Sequence, residues 1–248
     1  MEHTESIAVV TGGAGGIGAA TCRVLVREGA RVVVADVDAE RARALAAELG
    51  ERAIAETVDV TALDSARRLF GRVRERLGAP ANVLINNAGF DVLEPFLEND
   101  PALWRKLVDV NLFGQIHCAR AFLETAQGGR IVNIGSDAGR TGSGGEAVYS
   151  AAKGGVIALT KTLARESARL GVAVNCVCPG LTETALLDSF RRSPRGPKWL
   201  EAVVATIPMR RSGRPDEIAE VISFLASARA SYITGQILSV NGGLTMVG

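Results

Sequence analysis

A short apolar run, Ile7 to Val10, breaks into Thr11-Gly12-Gly13-Ala14-Gly15-Gly16-Ile17-Gly18, and helical composition follows at once from Ala19 to Glu28, with Gly29 as a stop. Strand, glycine turn, helix is the opening of a parallel α/β unit. Glycines let a backbone take positive φ and approach a pyrophosphate, whose charge the helix N-terminus meets. The spacing Gly12-x-x-x-Gly16-x-Gly18 differs from the commonest dinucleotide fingerprint, Gly-x-Gly-x-x-Gly. In a chain of 28 glycines such a run needs context. A second β run, Arg31 to Ala35, supplies it by ending in Asp36, 18 residues past Gly18, where a carboxylate binds an adenosine ribose 2′-OH. That charge repels a 2′-phosphate, and neither Ala14, Gly15 nor Val37 brings a cation to attract one, so NAD is expected over NADP.

The β-α rhythm continues. Asp38 to Gly50 reads as a helix, Ala53 to Val58 as a strand, and Ala62 to Leu77 as a helix with Leu63, Ala66, Leu69, Phe70 and Val73 on one face. This alternation implies parallel strands and right-handed crossovers. Asp59 and Val60 then fall at the carboxyl edge, where ligands collect, although Asp59 also fits a helix cap. Val83 to Ile85 leads into Asn86-Asn87-Ala88-Gly89, and Asp100-Pro101 has the cap-and-proline signature of a helix predicted to run through Asn111 to about Ala126. Asn111 sits among Val108, Val110, Leu112 and Phe113, so its amide must find partners. Gly129 to Ile134 and Val172 to Val177 are further strands, followed by Ser136 and by Pro179-Gly180.

At 248 residues one large domain, 1–248, suffices, and no second core is required. A net charge of +1 gives no global field for nucleic acid or an anionic membrane, and eleven aromatic residues show no basic-aromatic interleaving. No window reaches the ~18 apolar residues of a membrane span. Met1 to Ser6 is polar and acidic, unlike a signal or transit peptide, and Cys22, Cys118, Cys176 and Cys178 read as buried thiols, so a cytoplasmic location is expected. With His3 and His117 the only histidines, no metal site is expected.

Tyr149-Ser150-Ala151-Ala152-Lys153 places a phenol and an ammonium four apart, on one face if helical. Bringing a tyrosine from ~10 to ~7 takes roughly 4 kcal/mol of phenolate stabilisation, to which Lys153 is expected to contribute. Taken together, Thr11-Gly12-x-x-x-Gly16-x-Gly18, Asn86-Asn87-Ala88-Gly89, Asn111, Ser136, Tyr149-x-x-x-Lys153 and Pro179-Gly180 resemble, in order and spacing, the short-chain dehydrogenases/reductases over essentially the whole chain. The resemblance implies a doubly wound Rossmann-type sheet of seven parallel strands in order 3-2-1-4-5-6-7, helices on both faces, and a homotetramer. It implies Tyr149 as acid/base, Ser136 on the substrate oxygen, Lys153 on the nicotinamide ribose, and Asn111 holding a water. It also implies a cofactor lined by Gly12, Gly15, Gly16, Ile17, Gly18, Asp36, Val37, Asp59, Val60, Asn87, Ala88, Gly89, Tyr149, Lys153, Pro179, Gly180, Thr182 and Thr184. A catalytically inactive NAD sensor would be expected to lack Ser136, Tyr149 or Lys153, and all three are present.

Residues 182–215 interrupt the rhythm and suit a substrate lid. The segment carries seven cations, Arg191, Arg192, Arg195, Lys198, Arg210, Arg211 and Arg214, which point to an anionic handle such as the phosphates of coenzyme A. The stretches Asn87 to Phe96, Ser136 to Tyr149, Cys178 to Leu187 and Thr234 to Met246 resemble the family's 2-hydroxycyclohexanecarboxyl-CoA dehydrogenases, implying a hydroxyacyl-CoA substrate. The segment between Phe122 and Arg130 is several residues shorter than is usual in the family. The alternatives are a 3-oxoacyl carrier-protein reductase, which usually has a basic residue where this chain has Ala14-Gly15, and a sugar or cyclic-alcohol dehydrogenase. Ala152, Val156, Leu159 and Leu163, on the helix after Tyr149, offer apolar surface for assembly.

Overall fold

The strand β1 (Ile7–Thr11) is buried at every position, as a central strand covered on both faces must be. The computed structural model describes residues 2–193 and 195–247. Around β1 lie β2 (Arg31–Asp36), β3 (Ala53–Thr57), β4 (Val83–Asn86), β5 (Gly129–Ile134), β6 (Val172–Pro179) and β7 (Ile237–Val240). They form one seven-stranded sheet in the order 3-2-1-4-5-6-7, every pair parallel. The strand order reverses at β1, between β2 and β4, and a crevice opens beyond their carboxyl ends.

The crossover helices include α1 (Gly16–Arg27), α2 (Ala39–Leu49) and α3 (Leu63–Leu77). Alternate residues of the strands feed two cores. Val10, Val34 and Ile85 pack with Leu25 and Ile222 on one face; Val9, Val33 and Leu84 pack with Phe70 and Phe122 on the other. The two phenylalanine rings meet edge to face at 5.8 Å.

The helix expected from Asp100 is interrupted. Asp100 caps α4 (Pro101–Val108), accepting from the Ala102 amide at 2.8 Å. A π-helical turn over Asp109–Phe113 then precedes α5 (Gly114–Leu123). Asn111 sits in that turn, fully buried. Its Nδ2 donates to the Leu107 carbonyl at 3.0 Å and the Phe90 carbonyl at 2.8 Å. The extra residue in the turn aims this side chain at the β4 loop, an outcome that apolar periodicity does not reveal.

After β5, the short α6 (Ala138–Thr141) leads to α7 (Ala147–Ser167), which carries Tyr149 in its first turn and Lys153 one turn later. Of the four apolar residues expected to drive assembly, Ala152 and Val156 are buried within the chain, Val156 against Cys176 and Cys178. The candidate lid is helical: α8 (Ala185–Arg192) and α9 (Gly196–Thr206) share a small core in which Leu187, Phe190 and Leu200 pack with Trp199. The last helix, α10 (Pro215–Ala226), returns the chain to the main sheet. No helix among the described residues is long and apolar enough to cross a membrane, and they contain no cluster of potential metal ligands.

Candidate active site

The glycine turn is shaped by its neighbours. Gly12 and Gly16 hold φ of 60° and 53°, which side-chain-bearing residues seldom adopt. A Cβ on Gly18 would collide with the Gly12 carbonyl oxygen. Asn87 pins the turn from β4, its Nδ2 donating to the carbonyls of Thr11 and Gly12, both at 3.0 Å. Beyond the turn, the amides at the start of α1 have no side-chain cap and are free for an anion.

Asp36 closes the end of β2. Its Oδ2 accepts from the Ala14 amide at 3.0 Å and its Oδ1 from the Asp38 amide at 3.0 Å, so the carboxylate is fixed beside the glycine turn. Arg41, from the first turn of α2, reaches the Ala14 carbonyl at 3.2 Å. A cation does stand near this carboxylate, brought by an element that the sequence reading did not consider. Ala14, Gly15 and Val37 carry none, but α2, capped by Asp38, swings Arg41 over Gly15. Asp59 is a turn-former rather than a helix cap: Ala62 occupies the N-cap of α3, and Asp59 Oδ1 accepts from the amide and hydroxyl of Thr61 at 2.9 and 2.7 Å.

One cavity of about 980 Å³ runs from this end to the lid. Its walls include Asp36, Val37, Arg41, Asp59 and Val60 at the glycine end, and Leu186, Phe190, Trp199 and Val203 from the lid. Gly12, Gly15, Gly16, Ile17, Asn87, Ala88, Gly89, Pro179, Gly180, Thr182 and Thr184 line it as well. Gly18 alone of the expected cofactor positions does not; it is buried in the turn it makes possible.

Asn111, Ser136, Tyr149 and Lys153 meet at the middle of the cavity. Lys153 is 2% exposed; its Nζ donates to the Ile134 carbonyl at 2.8 Å and lies 5.6 Å from the centre of the Tyr149 ring. Burial lowers its pKa to about 8, against the pull of Cys176, Cys178 and Asp91. Gly89 lets Lys153 and Asn111 come together, since a Cβ there would stand 2.6 Å from Asn111 Oδ1 and 3.5 Å from Lys153 Nζ. Asn111 Oδ1 is buried and meets no hydrogen-bond donor among the described residues.

The Tyr149 pKa runs opposite to the sequence expectation. Desolvation raises it, the charges of Asp91 and Glu146 raise it further, and the hydrogen bond with Ser136 only partly offsets them. Lys153, its own pKa lowered to about 8 by burial, loses its charge before the phenol titrates, so the free protein holds the phenol neutral.

Asp91 and Glu146 escape sequence reasoning because 55 residues separate them, although Glu146 stands one helical turn before Tyr149. They are 6% and 9% exposed and share a side-chain hydrogen bond. Burial, then Glu146, pushes the Asp91 carboxyl up to about 9. A folded pKa above the ordinary 3.8 means that the native state keeps a proton the unfolded chain has lost. This stability is therefore full below about pH 4 and declines as pH rises through about 9. The Lys153 contribution changes only above about 8. Between pH 5 and 8, wild-type Tm is expected to fall by ~2–4 °C more than that of Asp91→Asn, for a differential of about 1 kcal/mol or more. Parallel calorimetric curves would count against the shared proton.

The lid cations are not where the sequence reading put them. Among the described residues none of the seven lines the cavity; its basic residues there are Arg41, Lys106 and Lys153. Arg191 pairs with Glu183 and Asp188, both at 2.7 Å, Arg195 with Glu98 at 3.0 Å, and Arg211 and Arg214 with Glu217 at 2.6 and 3.5 Å. The nearby acids fold onto the arginines, a tertiary pairing that a charge count does not reveal.

Similarities to known proteins agree with this geometry. A family model described as Enoyl-(Acyl carrier protein) reductase matches residues 12–245. The chain is 41% identical to cis-4-hydroxycyclohexanecarboxylate dehydrogenase of Sinomonas cyclohexanicum, over 98% of each chain. It is 39% identical to 2,3-dihydroxy-2,3-dihydro-p-cumate dehydrogenase of Pseudomonas putida, over 97% of this chain and 95% of that one. A crystal structure from Brucella melitensis, titled as a short-chain dehydrogenase/reductase of the glucose/ribitol dehydrogenase kind, superposes with a TM-score of 0.92 at 33% identity over 99% of both chains. With the strand order, the glycine turn and the Ser136, Tyr149 and Lys153 cluster in place, the chain belongs to the short-chain dehydrogenase/reductase family, whose members are oxidoreductases.

Proposed function

We propose that this oxidoreductase is an NAD-dependent dehydrogenase interconverting a secondary alcohol on a ring with its ketone. The observation that carries the reading is a single cavity joining a glycine turn and the Asp36 carboxylate to Ser136, Tyr149, Lys153 and Asn111. The residues fit the dinucleotide: bare α1 amides suit a pyrophosphate, and Asp36 suits a 2′-OH. NAD, when bound, accepts or returns the hydride. Ser136 holds the substrate oxygen, and Tyr149 takes the hydroxyl proton in oxidation or donates it in reduction. Lys153 orients the ribose, and its charge, added to that of an oxidised nicotinamide, favours phenolate. Asn111 Oδ1 receives a water that connects Lys153 with solvent.

The apolar lid residues Leu186, Leu187, Phe190, Trp199 and Val203 suit a ring, and two relatives are named for hydroxylated ring acids. A hydroxyacyl-CoA is the second reading, resting on the resemblance of the stretches bordering the cavity. The test is a panel of cyclic alcohols, hydroxyacyl-CoA thioesters and 3-oxoacyl carrier protein, each with NAD and NADP. Ring alcohols with NAD are expected to give the highest kcat/KM. Replacing Arg191, Arg192 and Arg195 together by Ala is expected to change kcat/KM for a CoA thioester and its free-acid analogue alike, within about threefold, since exposed ion pairs contribute little. A thioester preferred in the wild type and lost in this triple variant would establish the coenzyme A reading instead. By the same family resemblance we take the enzyme to be a cytoplasmic homotetramer; a monomeric sedimentation profile at micromolar concentration would contradict the assembly.

A further inference from the structure

Asp91 and Glu146 serve no step in the mechanism above, yet they line the cavity beside Tyr149. Ionised, either carboxyl raises the pKa of its phenol. They are held there deliberately by the backbone: the Glu94 amide donates to the Gly145 carbonyl at 2.9 Å, tying together the two loops that carry them. Asp91 Oδ1 accepts from the Val92 amide at 2.7 Å, while its Oδ2 is buried and meets no N–H or hydroxyl donor among the described residues. A proton shared with Glu146 satisfies that oxygen, because two adjacent buried carboxyls do not both ionise. The pair then keeps one negative charge.

Its compensation by cations is incomplete. Lys153 is engaged by the Ile134 carbonyl, Lys106 sits over the Phe90 ring at 5.2 Å, and no described residue forms an ion pair with either acid. The proton shared with Asp91 is the one hydrogen bond that the described residues give the Glu146 carboxyl. A nearly buried, charged acceptor facing a ligand cavity calls for a hydroxyl donor from the ligand.

We infer that Asp91 and Glu146 form a specificity site that accepts a hydrogen bond from a second hydroxyl of the substrate, next to the one that meets Tyr149. The substrate class is therefore a vicinal diol on a ring, or its hydroxyketone, rather than a ring bearing a single alcohol. This deepens the function proposed above and rests on it for the position of the reacting hydroxyl.

The test compares cis-cyclohexane-1,2-diol with cyclohexanol in turnover with NAD, and by calorimetric titration of each into the enzyme–NADH complex. The wild type is expected to favour the diol by about tenfold or more in kcat/KM and in affinity, the effect of one hydrogen bond to a charged acceptor. Glu146→Leu is expected to bring both ratios to within about threefold of unity. Glu146→Gln, which keeps shape and an acceptor but loses charge, is expected to fall between them, and serves alone if the leucine variant does not fold. A diol ratio unchanged in the variants, or near unity in the wild type, overturns the inference. If neither alcohol is turned over, the dehydrogenase reading fails, and the affinity ratio still decides the role of the pair.

Discussion

Tyr149→Phe is expected to lower turnover by about 10²–10⁴-fold, the range removed with a positioned general acid or base, while leaving NAD affinity within about twofold. The substitution deletes one oxygen. It keeps the ring beneath Lys153 and leaves the glycine turn, Asp36 and the α1 amides untouched, so cofactor binding has no reason to change. Ser136 loses its phenol partner but stays anchored through the Ala138 amide, which donates to its Oγ at 3.1 Å. Steady-state rates and NADH fluorescence titrations separate the two quantities. A variant retaining more than a few per cent of wild-type turnover would remove Tyr149 from the proton transfer.

The second large effect lies at the other end of the cavity. Asp36→Asn is expected to raise the NADP-to-NAD ratio of kcat/KM by about 10–100-fold without any added arginine. The change removes the charge that repels a 2′-phosphate and keeps an acceptor for the Ala14 amide. Arg41 already stands over Gly15 and gains an unopposed role as the phosphate's partner. Arg41→Ala in the Asp36→Asn background is expected to reverse most of the gain. An unchanged ratio in the single variant would refute the assignment of Asp36 to the ribose.

The sequence made the fold legible because a fully parallel sheet writes itself twice. Each strand is an apolar run, such as Val32-Val33-Val34, and each crossover an amphipathic helix, such as the one carrying Leu69, Phe70 and Val73. The strand ends were equally readable, since polar or glycine residues after each run fall at the carboxyl edge by construction: Asp36, Asn87, Ser136 and Gly180 all face the cavity.

What escaped is of another kind. Arg41 over the glycine turn, the Asp91 and Glu146 pair, and the lid arginines bound to Glu183, Glu98 and Glu217 are all contacts that a side chain makes outside its own element. Charge in a sequence is a count; in the fold it is a set of pairs. The π-helical turn at Asn111 escaped for a related reason. In it Asn111 donates to the Phe90 carbonyl, a tertiary contact that the local apolar pattern does not display. The raised pKa of Tyr149 in the free protein escaped because the pentapeptide displays the ammonium and hides the burial and the two acids that oppose it.

The phenol itself offers the most direct measurement. The chain has two tyrosines, and Tyr232 is fully exposed, so Tyr232→Phe leaves Tyr149 as the one tyrosinate chromophore. Absorbance of that variant, titrated from pH 6 to 11, is expected to show no phenolate below about pH 10 in the free protein, given the direction of the shift. In the NAD complex the phenolate is expected to appear at lower pH, along the same curve as kcat/KM for alcohol oxidation. A phenol that stays neutral in the NAD complex at the pH of full activity would contradict the account.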